Sequence, residues 1–285
     1  MSKCNNCARM CNINRDKNIG FCKSTNRCKI AKVMLHHWEE PVISGNNGSG
    51  AIFFSNCNLR CVFCQNYEIS HEGYGKEISL QDLINIFRDL EKHGAHNINL
   101  VTPTHYADQI LEALKLYKPN IPVVWNSNGY ESIEYITKLL DYVDIFLFDL
   151  KYYDSTISEK YSDAPNYFNI ASQNILKVRQ HIPNDIIEDG LMKKGIIVRH
   201  LVLPNNTNDS IKILQWIKEN IPSTTISIMS QYIPYYKACD YPEINRRITK
   251  LEYKRVLSMC NKLELNGFMQ GLESADEMYT PNFKE

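Results

Sequence analysis

The chain has 285 residues, 44% hydrophobic and 22% charged, which suits one α/β barrel domain with a small extension and argues against disorder. Lys plus Arg and Asp plus Glu number 32 each, so charge gives no reason to expect nucleic acid or an anionic membrane as partner. No apolar run follows a basic start and no stretch is long enough to span a bilayer, so a cytoplasmic protein is expected, in which ten cysteines point to metal or redox sites rather than disulfides.

Residues 1–27 are polar and cysteine-rich. Cys4, Cys7, Cys11 and Cys22 are separated by two, three and ten residues, and Gly20 eases a turn before the last. Four thiolates at these spacings suit a zinc ion or an auxiliary iron–sulfur cluster, with unmetallated thiols as the plain alternative. Residues 29–38 alternate partly and read as a strand. The turn-forming run 46–50 then makes a hairpin leading into a barrel strand. His36 and His37 read as packing residues, and Glu39 and Glu40 as candidates to face a site.

Next, Gly50-Ala51-Ile52-Phe53-Phe54 reads as a strand, and the loop after it carries Cys57, Cys61 and Cys64. A [4Fe–4S] cube normally takes four thiolates, so three on one loop leave one iron without a protein ligand. An open coordination position distinguishes a reactive metal site from a structural one. A zinc knuckle would bring a fourth ligand at short range, and a disulfide set would leave one cysteine over. The loop therefore reads as a cluster site whose open iron binds a small molecule.

Beyond it, strands and helices alternate. Ser79 caps a helix with Leu80, Leu83, Ile84, Phe87 and Leu90 at helical spacing. Strands are expected at 97–101, 122–125, 143–150, 195–203 and 224–230, with helices at 106–117, 132–140, 169–181, 209–219 and 249–265. Six β/α repeats give an α/β fold, a partial (β/α)6 TIM-like barrel. Residues 1–49 form the cysteine-rich extension and lead-in, and 50–285 the barrel. Sites in such folds lie at the carboxyl ends of strands.

Cys57, Cys61 and Cys64, with Phe63 before the last, resemble the signature of the radical S-adenosylmethionine (SAM) superfamily. The continuation Cys64-Gln65-Asn66 and later segments are most similar to the glycyl-radical-enzyme activases of the pyruvate formate-lyase type, in a branch with extra N-terminal cysteines. The resemblance implies a [4Fe–4S] cluster whose open iron chelates SAM. It also implies cleavage of SAM to a 5′-deoxyadenosyl radical that abstracts hydrogen, and as partners a glycyl-radical enzyme and an electron donor such as flavodoxin or ferredoxin. Another peptide or small molecule as substrate, or a non-catalytic iron–sulfur electron carrier or redox sensor, are the alternatives.

At the strand ends, the resemblance assigns cofactor contacts to Phe63, Thr102, Asn126, Ser127, Asp149, Lys151 and Arg199. Thr102-Pro103-Thr104-His105 stands where a Gly-Gly-Glu motif binds the SAM amino group, and it lacks the glycines and the acid. Asn126-Ser127-Asn128-Gly129 is similar to an Asp-Thr-Asn-Gly motif at a monovalent-cation site, with one charge missing. Asp149-Leu150-Lys151 matches the activases' Asp-Leu-Lys, whose lysine reaches the SAM carboxylate. Along 195–203 the strand period lets only one of Arg199 and His200 point inward, and Arg199 in an apolar run needs an anionic partner there. The run 231–236 is a candidate lining for the substrate opening.

Overall fold

The computed structural model describes residues 3–272 together with Pro281 and Phe283. In chain order its elements are β1 (Lys29–His36), α1 (Pro41–Ser44), β2 (Ser49–Phe54), α2 (Tyr67–Ser70), β3 (Lys76–Glu77), α3 (Leu80–Lys92), β4 (Ile98–Val101), α4 (Ala107–Leu116), β5 (Val123–Ser127), α5 (Ile133–Leu139), β6 (Ile145–Asp149), α6 (Ser155–Ser162) and α7 (Tyr167–His181). They continue with β7 (Ile186–Glu188), β8 (Leu191–Leu201), α8 (Thr207–Asn220), β9 (Thr225–Met229), α9 (Lys250–Lys262) and β10 (Gly267–Met269).

One curved sheet runs β10-β9-β8-β6-β5-β4-β2-β1-β3. The expected strands β2, β4, β5, β6, β8 and β9 pair in parallel. β10, which periodicity did not reveal, adds a seventh parallel strand beside β9. β1 pairs antiparallel with β2, so the lead-in before residue 50 is continuous with the barrel sheet. The sheet does not close, as a partial barrel requires. Among the described residues no helix is long and apolar enough to cross a membrane.

The helices start where their caps stand. The Ser79 hydroxyl accepts from the Asp82 amide, and the Asp82 carboxylate accepts from the Ser79 amide; Thr249 and Glu252 repeat this reciprocal pair on α9. Strand alternation then divides the core. Ile52, Phe54, Leu100, Trp125, Phe146, Phe148, Val198 and Ile228 face the helices. Val124, Ile145, Leu147 and Ile197 face the lumen, where Ile43 of α1 packs among them. The segment between β1 and β2 is thus more than a hairpin turn: α1 plugs the apolar lower lumen. Above it the lumen turns polar, with Asn99, Asn126, Arg199 and Ser227 at register positions on the same face.

Candidate active site

The cysteine loop leaves β2 at its carboxyl end, with Asn56 in the left-handed region at φ 70°. Backbone bonds fix it on both sides. Asn56 N donates to Ile69 O at 2.7 Å, Arg60 N to Ser162 O at 3.0 Å, and Val62 N to Tyr161 O at 2.9 Å. Each sulfur meets at least one polar side chain. Ser162 Oγ donates to Cys61 Sγ at 3.0 Å, Asn128 Nδ2 to Cys57 Sγ at 3.6 Å, and Cys64 Sγ lies 3.2 Å from Ser70 Oγ. Burial pushes the Cys57 thiol up to about 12 and Cys64 to about 11, and raises Cys61. Deprotonated sulfurs here need a nearby positive charge, which bound iron supplies.

Among the described residues, no three His, Cys, Asp or Glu side chains stand close enough to share one metal ion. A cube asks for something else, because each thiolate binds a different corner. Three sulfurs on one loop, all facing one cavity and each met by a hydroxyl or amide, fit that group.

The cavity, of about 650 Å³, is the barrel lumen above α1. It lies in the size range of small-molecule sites. A charged ladder lines it. Lys151 Nζ donates to Asp149 Oδ2 at 2.7 Å, and Arg199 Nε to Asp149 Oδ1 at 2.9 Å. Arg199 also donates to Glu39 Oε2 at 3.0 Å and to Asn126 Oδ1 at 2.5 Å. Asn126 and Asn99 amides return to Glu39 Oε1 at 3.0 and 3.1 Å. Burial alone would raise the Asp149 carboxyl, but Arg199 and Lys151 outweigh it and hold the group below its ordinary range. Asp149 and the Cys61 sulfur, in turn, raise Lys151 against its burial, so the ladder begins beside the cysteine loop.

Most of the residues singled out from sequence meet at this cavity. Cys57, Cys61, Cys64, Phe63, Thr102, Asn126, Ser127, Asp149, Lys151 and Arg199 all line it. Arg199 points inward while His200 turns outward, its ring nitrogens 2.8 Å from Leu150 O and Ser210 Oγ. Thr102 holds φ 58°, a costly conformation for a β-branched residue, at the carboxyl end of β4. Phe63 packs edge-on against Tyr232, ring centroids 5.5 Å apart.

Other side chains of these strand ends turn elsewhere. Thr104 does not reach the cavity; its hydroxyl donates to buried Glu131 at 2.7 Å. His105 neither lines the cavity nor caps a helix, since its Nε2 lies 2.8 Å from Ser55 O beneath the cysteine loop. Asp149 does not orient Asn126 directly, because the Arg199 guanidinium stands between them. Of the run 231–236, Gln231 lines the cavity, whereas Tyr236 stacks outside on Tyr67.

Ser162 and Glu131 carried little or no sequence signal, and Asn128 stood in a strand-end motif without an assigned role. Asn128 links Cys57 to Asn58, Ser162 reaches Cys61 from 101 residues away, and Glu131 is buried where a loop acid reads as solvated.

The N-terminal segment packs behind the cysteine loop. Ala8 N donates to Tyr130 O at 3.2 Å and Ser132 N to Asn6 O at 3.3 Å. Arg9 Nε donates to Asn58 O at 2.9 Å, and the Arg9 and Arg60 guanidiniums both lie over the Phe21 ring, at 3.7 and 4.7 Å. Cys4, Cys7, Cys11 and Cys22 gather here. Burial pushes the Cys7 thiol up to about 12, and the nearby Cys22, Cys4 and Cys11 add to the rise.

The profile of the radical SAM superfamily matches residues 51–232. An uncharacterised protein of Methanocaldococcus jannaschii is 34% identical over 276 residues, covering 92% of this chain and 75% of that protein. A Haemophilus influenzae protein, described as a candidate glycyl-radical enzyme activating enzyme, is 25% identical over 182 residues, covering 60% of this chain and 65% of that protein. Among solved structures, methylornithine synthase (PylB) superposes with a TM-score of 0.53 at 14% identity, over 92% of this chain and 75% of that one. Streptococcus suis SuiB bound to SAM gives 0.54 at 15% identity, over 78% of this chain and about half of SuiB, 52%. At these identities the structural likeness concerns the fold.

Proposed function

The chain belongs to the radical SAM superfamily, whose members are enzymes using a [4Fe–4S] cluster and SAM, and from this premise we propose that it abstracts hydrogen from a glycine on a partner glycyl-radical enzyme. When bound, the cluster and SAM supply reductive cleavage of the sulfonium to methionine and a 5′-deoxyadenosyl radical. In this reading Cys57, Cys61 and Cys64 hold three corners of the cluster, and Ser162, Asn128 and Ser70 orient their sulfurs. Hydrogen bonds to the sulfurs also tune a cluster's potential. The Lys151 ammonium, a compact charge on a long stem, takes the SAM carboxylate while Arg199 keeps Asp149 neutralised. Phe63, Thr102, Asn126 and Ser127 wall the same space and exclude water.

The observation that carries the reading is the meeting of the three cysteines and Lys151 in one cavity. The glycine as hydrogen donor rests on the Asp149-Leu150-Lys151 segment and on the Haemophilus influenzae relative. The α1 plug favours a second reading, a small molecule or short peptide reaching only the upper lumen. A structural zinc or auxiliary cluster at Cys4, Cys7, Cys11 and Cys22 belongs to the same proposal, and metal would have to draw these thiols closer. An electron donor such as flavodoxin or ferredoxin completes the scheme.

The test is anaerobic reconstitution with iron and sulfide, then dithionite and SAM. Formation of 5′-deoxyadenosine by wild type but not by a Cys57→Ala, Cys61→Ala, Cys64→Ala variant supports the chemistry. An electron paramagnetic resonance doublet on a candidate glycyl-radical enzyme supports the donor, and its absence with every candidate moves the assignment to the second reading.

A further inference from the structure

The lumen above α1 has two unlike walls. Asn126, Asp149 and Arg199, on β5, β6 and β8, carry the charged ladder. The wall made by β1, β2 and β4 is apolar. There Phe53 is the register partner of Val101, and Ala51 of Met34. These four pack with Ala31 and with Ile69 of α2 in a cluster distinct from the main core. One further side chain fills the space between them. Phe283, from beyond β10, is 3% exposed, and its ring meets Phe53 edge-on with centroids 5.4 Å apart. Pro281, two residues earlier, lines the cavity itself.

Three of the residues around Phe283, namely Phe53, Ile69 and Val101, also line the cavity, so the seat of this ring adjoins it. The seat is close to the cysteine loop as well. Ile69 precedes Ser70, whose hydroxyl lies 3.2 Å from Cys64 Sγ, and its carbonyl accepts from the Asn56 amide. The walls of the seat thus belong to the barrel, while its occupant comes from outside the β/α repeats.

We propose that this seat is the subsite for an aromatic side chain of a polypeptide substrate, and that Phe283 holds it until the substrate displaces it. Phe283 shows what fits, a ring carried on a peptide backbone and set edge-on to Phe53, a favoured aromatic geometry. The six surrounding residues offer no side-chain nitrogen or oxygen, so a polar group entering the seat would lose its water without gaining a partner. While Phe283 fills the seat, the substrate's apparent affinity is lowered in proportion to the fraction of chains in which the seat is open. That the anchored polypeptide is the hydrogen donor rests on the function proposed above; its binding does not.

The test is calorimetric titration of the reconstituted protein holding SAM, with no reductant present. The probe is acetyl-Pro-Asn-Phe amide, which repeats residues 281–283. It is compared with acetyl-Pro-Asn-Ala amide and with 2-phenylethanol, a ring without a peptide. The aromatic tripeptide is expected to bind wild type, and to bind Phe283→Ala roughly tenfold or more tightly, the scale of burying one aromatic side chain. Phe283→Leu, which keeps an apolar occupant, stays near wild type. The alanine tripeptide binds none of the three proteins, and SAM affinity is the same in all. The proposal is overturned if the aromatic tripeptide leaves wild type unbound, if it binds Phe283→Ala no more tightly, if the alanine tripeptide matches it, or if Phe283→Ala loses SAM affinity. Binding of 2-phenylethanol to Phe283→Ala as tightly as the tripeptide would reveal a cavity only, and overturns it too. So does loss of the folded circular-dichroism spectrum in Phe283→Ala, since a side chain that the fold requires cannot give up its place. Formation of 5′-deoxyadenosine, assayed separately, reports on the proposed chemistry and not on this seat.

Discussion

Arg199 Nε donates to Asp149 Oδ1 at 2.9 Å, between residues that are register partners on β8 and β6. The same guanidinium reaches Asn126 on β5 and Glu39 from the segment preceding α1. One side chain therefore ties three barrel strands to the plug.

Removing that tie leaves buried Glu39 without its cation and Asp149 with Lys151 alone. Arg199→Met is expected to destabilise the chain by about 3–5 kcal/mol, the cost of breaking a buried pair from one side. Urea denaturation measures it. Arg199→Lys should recover only part, since an ammonium cannot make the forked contacts to Asp149, Glu39 and Asn126 together.

Lys151 is less embedded. In Lys151→Met, Asp149 keeps Arg199, so iron content and folding should stay near wild type. Equilibrium dialysis is expected to show SAM affinity reduced roughly tenfold, the scale of a lost charge-assisted contact. Unchanged SAM affinity would remove Lys151 from the binding site.

Any one of Cys57→Ala, Cys61→Ala or Cys64→Ala should abolish most cluster loading, read as iron and sulfide per chain. Cys239→Ala is the control, because Cys239 is exposed and lines no part of the cavity. Zinc and iron counts on a Cys4, Cys7, Cys11, Cys22→Ala variant assign the N-terminal metal. Counts equal to wild type would mean that these thiols hold none.

Acid should destabilise the chain well above the carboxylate range. Burial pulls His105 down to about 3 and His200 to about 4. An unfolded histidine titrates near 6.5. Between about 4 and 6.5 the unfolded state thus binds more protons, and stability falls as pH falls. Each of the two contributes about 1.4 kcal/mol per pH unit in that window. Urea midpoints at pH 7 and pH 5.5 measure the slope, and His105→Gln should flatten it.

Gly45 ends α1 at φ 48°, and a Cβ there would lie 2.6 Å from Leu191 Cδ2 and 2.8 Å from the His96 ring. Gly45→Ala combines backbone strain with overpacking. It should cost about 2–4 kcal/mol. Thermal unfolding measures the loss. A null effect would show that the plug tolerates displacement.

Much of this was legible in the chain. Unbroken apolar runs such as 143–150 and capped amphipathic helices such as that from Ser79 are local signals, because burial and capping act over a few residues. The spacing of Cys57, Cys61 and Cys64 is local too, since one short loop must present all three. β10 was too short to show a period, and α1 contributes one turn that only its packing against Ile145, Leu147 and Ile197 explains. Glu131 and Ser162 sit in polar contexts that read as surface, and burial became visible only once distant segments closed over them.

By itself, then, the sequence determined the order of strands and helices and the cysteine loop at the end of the first barrel strand, because hydrophobic period, caps and ligand spacing are written over short distances. Tertiary structure alone decided what the lumen is. Arg199 finds its anions 50 and 160 residues away, and Cys61 its hydroxyl 101 residues away. Such matches depend on the register of parallel strands and on a plug entering from outside the repeat, neither of which any short stretch specifies.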